Sequence, residues 1–377
     1  MKKVLYVATV ASHICQFHLP YMEMFQNSGV CVHVAARNNL AEKNGLQLKY
    51  ADEYFDIPFE RSPASKRNIT AYKELKKLIS ENRYDLIVCN TPMGGILTRL
   101  AARKSRSKGT KVIYIAHGFH FYKGASKKSW MIYYPIEKIF AKFCDAVVTI
   151  NNEDFELAKS KFKSKVYHIH GIGVSDKRFH PVSDEVKKEL REKIDLSSDD
   201  FVILCIGELN KNKNQEQLIR AAANLVDKIP NLKILLAGNG PNEQNLLNLI
   251  DDLKLNNTVI LLGYRTDLEN IIPTVDLIAS FSKREGLGLN IIEGMLCGKP
   301  ILATHNRGHN ELIEEDINGF LVPVGDCLKT SEKILEIYSD SEKTQKFSFN
   351  SQTMAKKYTV DFVKEEINDI IKNVRSK

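Results

Sequence analysis

Two kinds of segment alternate along the chain. Short apolar runs rich in β-branched residues come first: "KVLYVATV", "VCVHVAA", "DLIVCN", "KVIYIAH" and "DAVVTIN". Between them lie longer stretches whose apolar residues recur at helical spacing, such as "ITAYKELKKLISEN" and "SWMIYYPIEKIFAKF". The runs are continuous rather than alternating, which predicts strands covered on both faces. Strands of that type separated by helices make a parallel, doubly wound sheet.

The pattern dims across Gly171–Glu185, "GIGVSDKRFHPVSDE", where turn residues and Pro181 mark a boundary. It then restarts with "FVILCIGE", "LKILLAGNG", "TVILLGY", "VDLIASF" and "PILAT", interleaved with helices such as "NQEQLIRAAANLVDK". The expected organisation is therefore two facing Rossmann-like domains, residues 1–180 and 181–355. A terminal amphipathic helix over 356–377 is expected to return to the first. Such pairs bind ligands in the cleft between strand C-terminal ends.

At 377 residues the chain has the length of two ordinary domains. No apolar run reaches the roughly 20 residues needed to cross a bilayer. "KKVLYVATV" at the start reads as a buried strand rather than a signal peptide. Seven scattered cysteines, without metal-ligand spacing, read as buried free thiols of a reducing compartment, so the cytoplasm is expected. The net charge of +8 is uneven: residues 1–180 carry 29 Lys and Arg against 15 Asp and Glu, and the remainder is acidic. A basic first half suits an anionic partner, whether nucleic acid or lipid headgroups, and a solvated face is the plain alternative. Lys127, Lys128 and Trp130, beside Tyr133 and Tyr134, suggest docking on an anionic membrane. Packing of that aromatic helix on its own sheet is the competing reading.

The candidate chemistry begins at "SFSKREGLGLNIIEGMLCGKP", which sets Glu285 and Glu293 eight residues apart across Gly286, Leu287 and Gly288. A strand runs into a glycine loop and then a helix. The helix-start N–H groups of Leu289, Asn290 and Ile291 would form an anion site. A phosphate there would leave Glu293 for a ribose diol and Glu285 for the group on the far side. The alternative is a helix N-terminal carboxylate and a solvated loop glutamate. In the first half, "IAHGFHFYKGASKK" places His117 and His120 just beyond a buried strand. Two histidines three apart could hold a metal, but no third ligand accompanies them at recognisable spacing, so no metal is expected.

The run "EGLGLNIIEGMLCGKPILAT", followed by "GHNELIEEDINGFLVPVGD", resembles the donor-binding region of family-4 retaining glycosyltransferases of GT-B fold. That family carries a Glu-x7-Glu motif, a Gly-Lys-Pro strand and a Gly-hydrophobic-Leu-Val-Pro turn. "VILCIGELNKNKNQEQLIRA", "LLAGNGP" and "VILLGYRTDLENIIPTVDLI" are similar to its upstream units. The resemblance implies that Lys213 meets the donor pyrophosphate, Glu293 the ribose and Glu285 the donor sugar. Tyr264 and Arg265 would lie near the base. It also implies that His117 approaches the sugar, and "HGFHFYKG" resembles the subgroup that builds capsular and exopolysaccharide repeat units. The chain departs from the family twice. Glu208 stands where many members have Arg, and "TVASHICQFHLP" replaces a Gly-Gly loop, so His13 or His18 is expected on the acceptor.

The function so implied is retaining sugar transfer from a nucleotide donor, expected to be a UDP-sugar, to a polyprenyl-diphosphate-linked saccharide at the inner face of the membrane. No cofactor is expected, and no Asp-x-Asp occurs for a catalytic metal. The rival readings are a sugar-nucleotide epimerase of the same fold and a non-catalytic binder of nucleotide-sugars or nucleic acid. The basic stretch lacks the interleaved aromatic residues that stack bases, so nucleic acid is not expected. The sequence leaves a homo-oligomer open.

Overall fold

The computed structural model describes residues 1–43 and 46–376. It divides into two compact units, Met1–Gly173 with Val360–Lys377, and Val174–Thr359. Lys377, the end of the expected terminal helix, lies outside the described residues.

The first unit holds a seven-stranded sheet: β1 (Lys3–Val10), β2 (Cys31–Arg37), β3 (Glu53–Asp56), β4 (Leu86–Asn90), β5 (Lys111–Ala116), β6 (Ala146–Thr149) and β7 (Lys165–His168). Their spatial order is β3-β2-β1-β4-β5-β6-β7, every pairing parallel. Winding reverses between β1 and β4, so the loops leaving these two strands diverge and open a crevice at their C-terminal ends. The five apolar runs read from the sequence fall on β1, β2, β4, β5 and β6. The two edge strands went unread, because β3 and β7 are four residues each, polar and mostly exposed or half-buried. A helix, Ala11–Phe17, follows β1 without a loop, in a stretch read as a turn.

The second unit repeats the plan with β8 (Phe201–Ile206), β9 (Leu232–Ala237), β10 (Val259–Gly263), β11 (Leu277–Ser280), β12 (Ile301–Thr304) and β13 (Gly319–Val322). The order is β10-β9-β8-β11-β12-β13, again parallel, and winding reverses between β8 and β11. Its central residues, among them Ile203, Leu236, Leu277, Ala279 and Leu302, are wholly buried, as strands covered on both faces require.

The helix Val360–Arg375 belongs to the first unit. Its apolar stripe of Val363, Ile367, Ile370, Ile371 and Val374 is buried. Ile367, Ile370 and Ile371 share a small cavity wall with Tyr6, Val88 and Ile115 of the sheet. Each such aliphatic side chain contributes about 1.5–3 kcal/mol on burial. All seven cysteines are free thiols.

The helix Lys127–Phe140 opens with Ser126 Oγ accepting the Ser129 N–H. A buried ion pair joins it to the helix Pro92–Ala101, and a hydrogen bond joins it to β5. Arg99 Nη2 donates to Glu137 Oε2 at 2.9 Å, the Tyr114 hydroxyl donates to Glu137 Oε1 at 3.2 Å, and the guanidinium lies 3.9 Å above the Tyr114 ring. Trp130 and Tyr134 turn inward, each 5.6 Å from Phe121. Packing therefore accounts for those two rings, whereas Met131, Ile132, Tyr133 and Ile139 face outward. Glu137→Ala would strand the Arg99 charge in the core and is expected to cost about 3–5 kcal/mol. The double replacement Arg99→Met, Glu137→Leu should recover part of that loss. Urea unfolding followed by emission of Trp130, which sits on the same helix, measures both.

Candidate active site

In the second unit the chemistry gathers where β8 and β11 end. Lys213 precedes the helix Gln215–Ala222, and its backbone is set by Asn210, whose Oδ1 accepts the N–H groups of Asn212 and Lys213 at 3.0 and 2.9 Å. Its stem lies along Gly207, where a β-carbon would stand 3.1 Å from Lys213 Cε. The ammonium reaches Glu285 Oε1 at 2.5 Å, both side chains being mostly buried. Burial alone would raise the Glu285 carboxyl, but Lys213 beside it overcomes that and holds it below the ordinary carboxylate range.

The loop after β11 is tied down on several sides. Asn212 O accepts the Lys283 N–H at 2.7 Å, and Asn212 Nδ2 donates to Arg284 O at 3.1 Å. Arg307 Nε donates to Glu285 O at 3.2 Å. Gly288 then takes φ 109°, a left-handed turn that favours glycine, and the helix Leu289–Leu296 begins. Asn290 Nδ2 anchors that helix start to Ile206 O, at the end of β8, at 3.2 Å. The N–H groups of Leu289 and Asn290 find no acceptor among the described residues. The Ile291 N–H does, bonding to Gly288 O at 3.1 Å, and its side chain is buried. The amide cradle read from the sequence is therefore one residue narrower than expected. Glu293 lies one turn deeper, with its carboxyl pushed up to about 7 by burial, which Arg178 only partly offsets. Glu208 points to solvent and accepts from Asn210 Nδ2 at 2.9 Å. Tyr264 is exposed, and Arg265 pairs with Asp267 at 2.6 Å.

In the first unit, His13 and His18 follow β1 while His117 follows β5. His13 Nε2 and His117 Nε2 stand 3.2 Å apart, across 104 positions of chain. Asn90, at the end of β4, places Oδ1 3.2 Å from His117 Nε2. An amide oxygen only accepts, which puts the His117 proton on Nε2. His18 is fully buried, and neither ring nitrogen is bonded among the described residues. Ligand atoms of the three rings all lie within 4.8 Å of one another, and burial lowers each imidazole's pKa, His117 to about 4. Three neutral imidazoles are also the donor set of a zinc site. The sequence offered His117 no third ligand because its companions come from another strand's end. His120 turns elsewhere, against Tyr133 at 4.7 Å.

Residues 3–151 match the glycosyl transferase 4-like family, and residues 186–354 match the glycosyl transferases group 1 family. EpsD of Bacillus subtilis, which carries a provisional glycosyltransferase name, is 43% identical over 98% of this chain and 96% of its own. The chain belongs to the group 1 glycosyltransferases. An Escherichia coli relative, the UDP-Gal:alpha-D-GlcNAc-diphosphoundecaprenol alpha-1,3-galactosyltransferase, is 28% identical over 89% of both chains. Anabaena HepE, solved in complex with UDP, matches the fold with a TM-score of 0.81 at 22% identity, covering 99% of this chain and 100% of that one. These likenesses bear out the GT-B expectation of two Rossmann-like parallel sheets.

Sequence reading of this glycosyltransferase named Lys213, Glu285, Glu293 and His117, and the structure pairs the first two. It missed Asn90, Asn212 and His309. The last is buried, with Nδ1 2.7 Å from Thr304 O and Nε2 3.2 Å from Ser280 Oγ, and it braces the loop from beneath. Glu293 gives a pH test. Its folded carboxyl titrates near 7 against an ordinary 4.5, so the folded state is favoured by that proton at low pH and loses the advantage as pH rises from 4.5 through about 7. Glu293→Gln removes the titration. Melting curves at pH 5 and pH 8 should show a smaller drop in the variant than in the parent.

Proposed function

We propose that this glycosyltransferase moves a sugar, with retention at the anomeric carbon, from a UDP-sugar to a saccharide carried on a polyprenyl diphosphate. The observation that carries the reading is the Lys213–Glu285 pair beside the unused amides of Leu289 and Asn290, at the C-terminal ends of neighbouring strands. A departing nucleoside diphosphate needs positive potential, and an ammonium with helix-start dipoles supplies it without a metal at the phosphates. Lys213 exchanges Glu285 for phosphate as the donor arrives. Glu285 then serves a sugar hydroxyl, and Glu293, protonated or not, serves the ribose diol.

The bond from the anomeric carbon to the phosphate oxygen breaks, and the acceptor oxygen bonds on the same face. The acceptor proton passes to the departing phosphate oxygen. His117, kept neutral with its proton on Nε2, orients the sugar. On this reading the second unit binds the donor and the first the acceptor. The E. coli relative, whose name specifies a diphosphoundecaprenol acceptor, supports a lipid-linked substrate. A place in capsule or exopolysaccharide assembly, at the inner face of the cell membrane, follows from such an acceptor. No helix among the described residues is long and apolar enough to cross a membrane.

UDP-sugars screened by thermal shift test the donor, since a ligand at 100 times its Kd adds about 2.7 kcal/mol. GDP-sugars shifting the melt while UDP-sugars do not would overturn the choice. Lys213→Ala is expected to lower kcat about 10²–10³-fold, and His117→Ala to remove most turnover while UDP affinity stays nearly unchanged. Product NMR in EDTA decides retention and metal independence together.

A further inference from the structure

Beside the histidines the first unit contains a groove of about 460 Å³ that the reaction just described does not use. Its wall is apolar, with Met93, Ile96, Phe121, Ile132 and Ile136 among its residues. The one lining carboxylate, Glu137, is held by Arg99 and Tyr114. Polar groups also line it, among them His13, His120 and Arg61, the last exposed. The groove runs along the helix Lys127–Phe140, whose outer surface leaves Met131 71% and Ile139 52% exposed. That helix begins with Lys127 and Lys128, both exposed. An apolar slot lined by one exposed arginine suits an amphiphile whose tail is apolar and whose head is anionic.

We propose that this groove holds the first isoprenoid units of a polyisoprenyl-diphosphate carrier, with Arg61 taking the diphosphate. The inference rests on the lipid-linked acceptor reading and deepens it. The saccharide end then lies toward His13 and His117, because His13 lines both the groove and the histidine cluster. Arg61 fits this role by charge and place, and the groove wall by its chemistry. A membrane phospholipid, the other amphiphile with this chemistry, has two acyl chains to accommodate in one slot.

Trp130 is the chain's single tryptophan and packs on Phe121 of the groove wall, so its emission reports occupancy. The full-length protein is titrated with farnesyl diphosphate, farnesol, inorganic diphosphate and lysophosphatidylglycerol, without any donor. Farnesyl diphosphate should give a saturable change and bind about tenfold or more tightly than each of the others. Arg61→Ala should weaken farnesyl diphosphate and leave farnesol unchanged. Ile132→Asp, at a surface position of the wall, should weaken both. Equal binding of inorganic diphosphate, equal binding of the lysolipid, or indifference to both substitutions overturns the proposal. A turnover arm separates it from the transferase reading: equal KM for farnesyl- and methyl-diphosphate-linked saccharides removes the groove and leaves sugar transfer standing.

Discussion

A parallel strand covered on both faces has no place for a charged side chain along its length. Its neighbours take its hydrogen bonds and helices take its faces, so polar chemistry is displaced to its ends. In both units the reversal of winding separates two adjacent loops at the C-terminal edge, and Lys213, Glu285, His13 and Asn90 stand there, with His117 just past the end of the strand next to them. Lys213 and Glu285 leave β8 and β11. His13, Asn90 and His117 leave β1, β4 and β5. Lys213 and Glu285, 72 positions apart, meet because β8 and β11 pair side by side, and His13 and His117, 104 apart, meet across the end of β4, which lies between β1 and β5; no local preference in the chain would do either.

That explains what was legible beforehand. Ten strands announce themselves as apolar runs: nine interior ones, whose surroundings are apolar, and the edge strand β10, apolar in sequence though half-buried. The three unread strands, β3, β7 and β13, each lie at an edge and are only four residues long. In β3 and β7 half the neighbours are solvent or loop, so their composition carries little signal, whereas β13 is apolar and mostly buried but too short to stand out from the turn it was read as. The sites divide in the same way. Glu285 and Glu293 belong to one strand–loop–helix passage, and their relation is local. The grouping of His13, His18 and His117 is a property of the sheet's strand order, which spacing along the chain does not encode. Ile291 shows a subtler limit, because whether a helix-start amide is free depends on the tightness of its first turn.

The two units treat their polar groups differently. Around Lys213 several hydrogen bonds tie the loops, from Asn210 beneath to Arg307 beside it, so the ammonium is aimed before any ligand arrives. In the histidine cluster His18 has no partner at either nitrogen among the described residues. A buried imidazole so placed costs the fold stability unless something at the site satisfies it. The surroundings of Lys213 are thus preorganised, and the histidine cluster holds bonding capacity in reserve.

The helix Val360–Arg375 has a consequence for how the chain is made. It supplies five buried apolar residues to a unit whose other parts end at Gly173. During synthesis at about 5–20 residues per second, the intervening second unit takes about 10–40 s to emerge. Throughout that interval Tyr6, Val88 and Ile115 of the first sheet lack their cover. The nascent protein therefore meets its chaperones with an oily strip on show, and the second unit is free to finish folding before the first can.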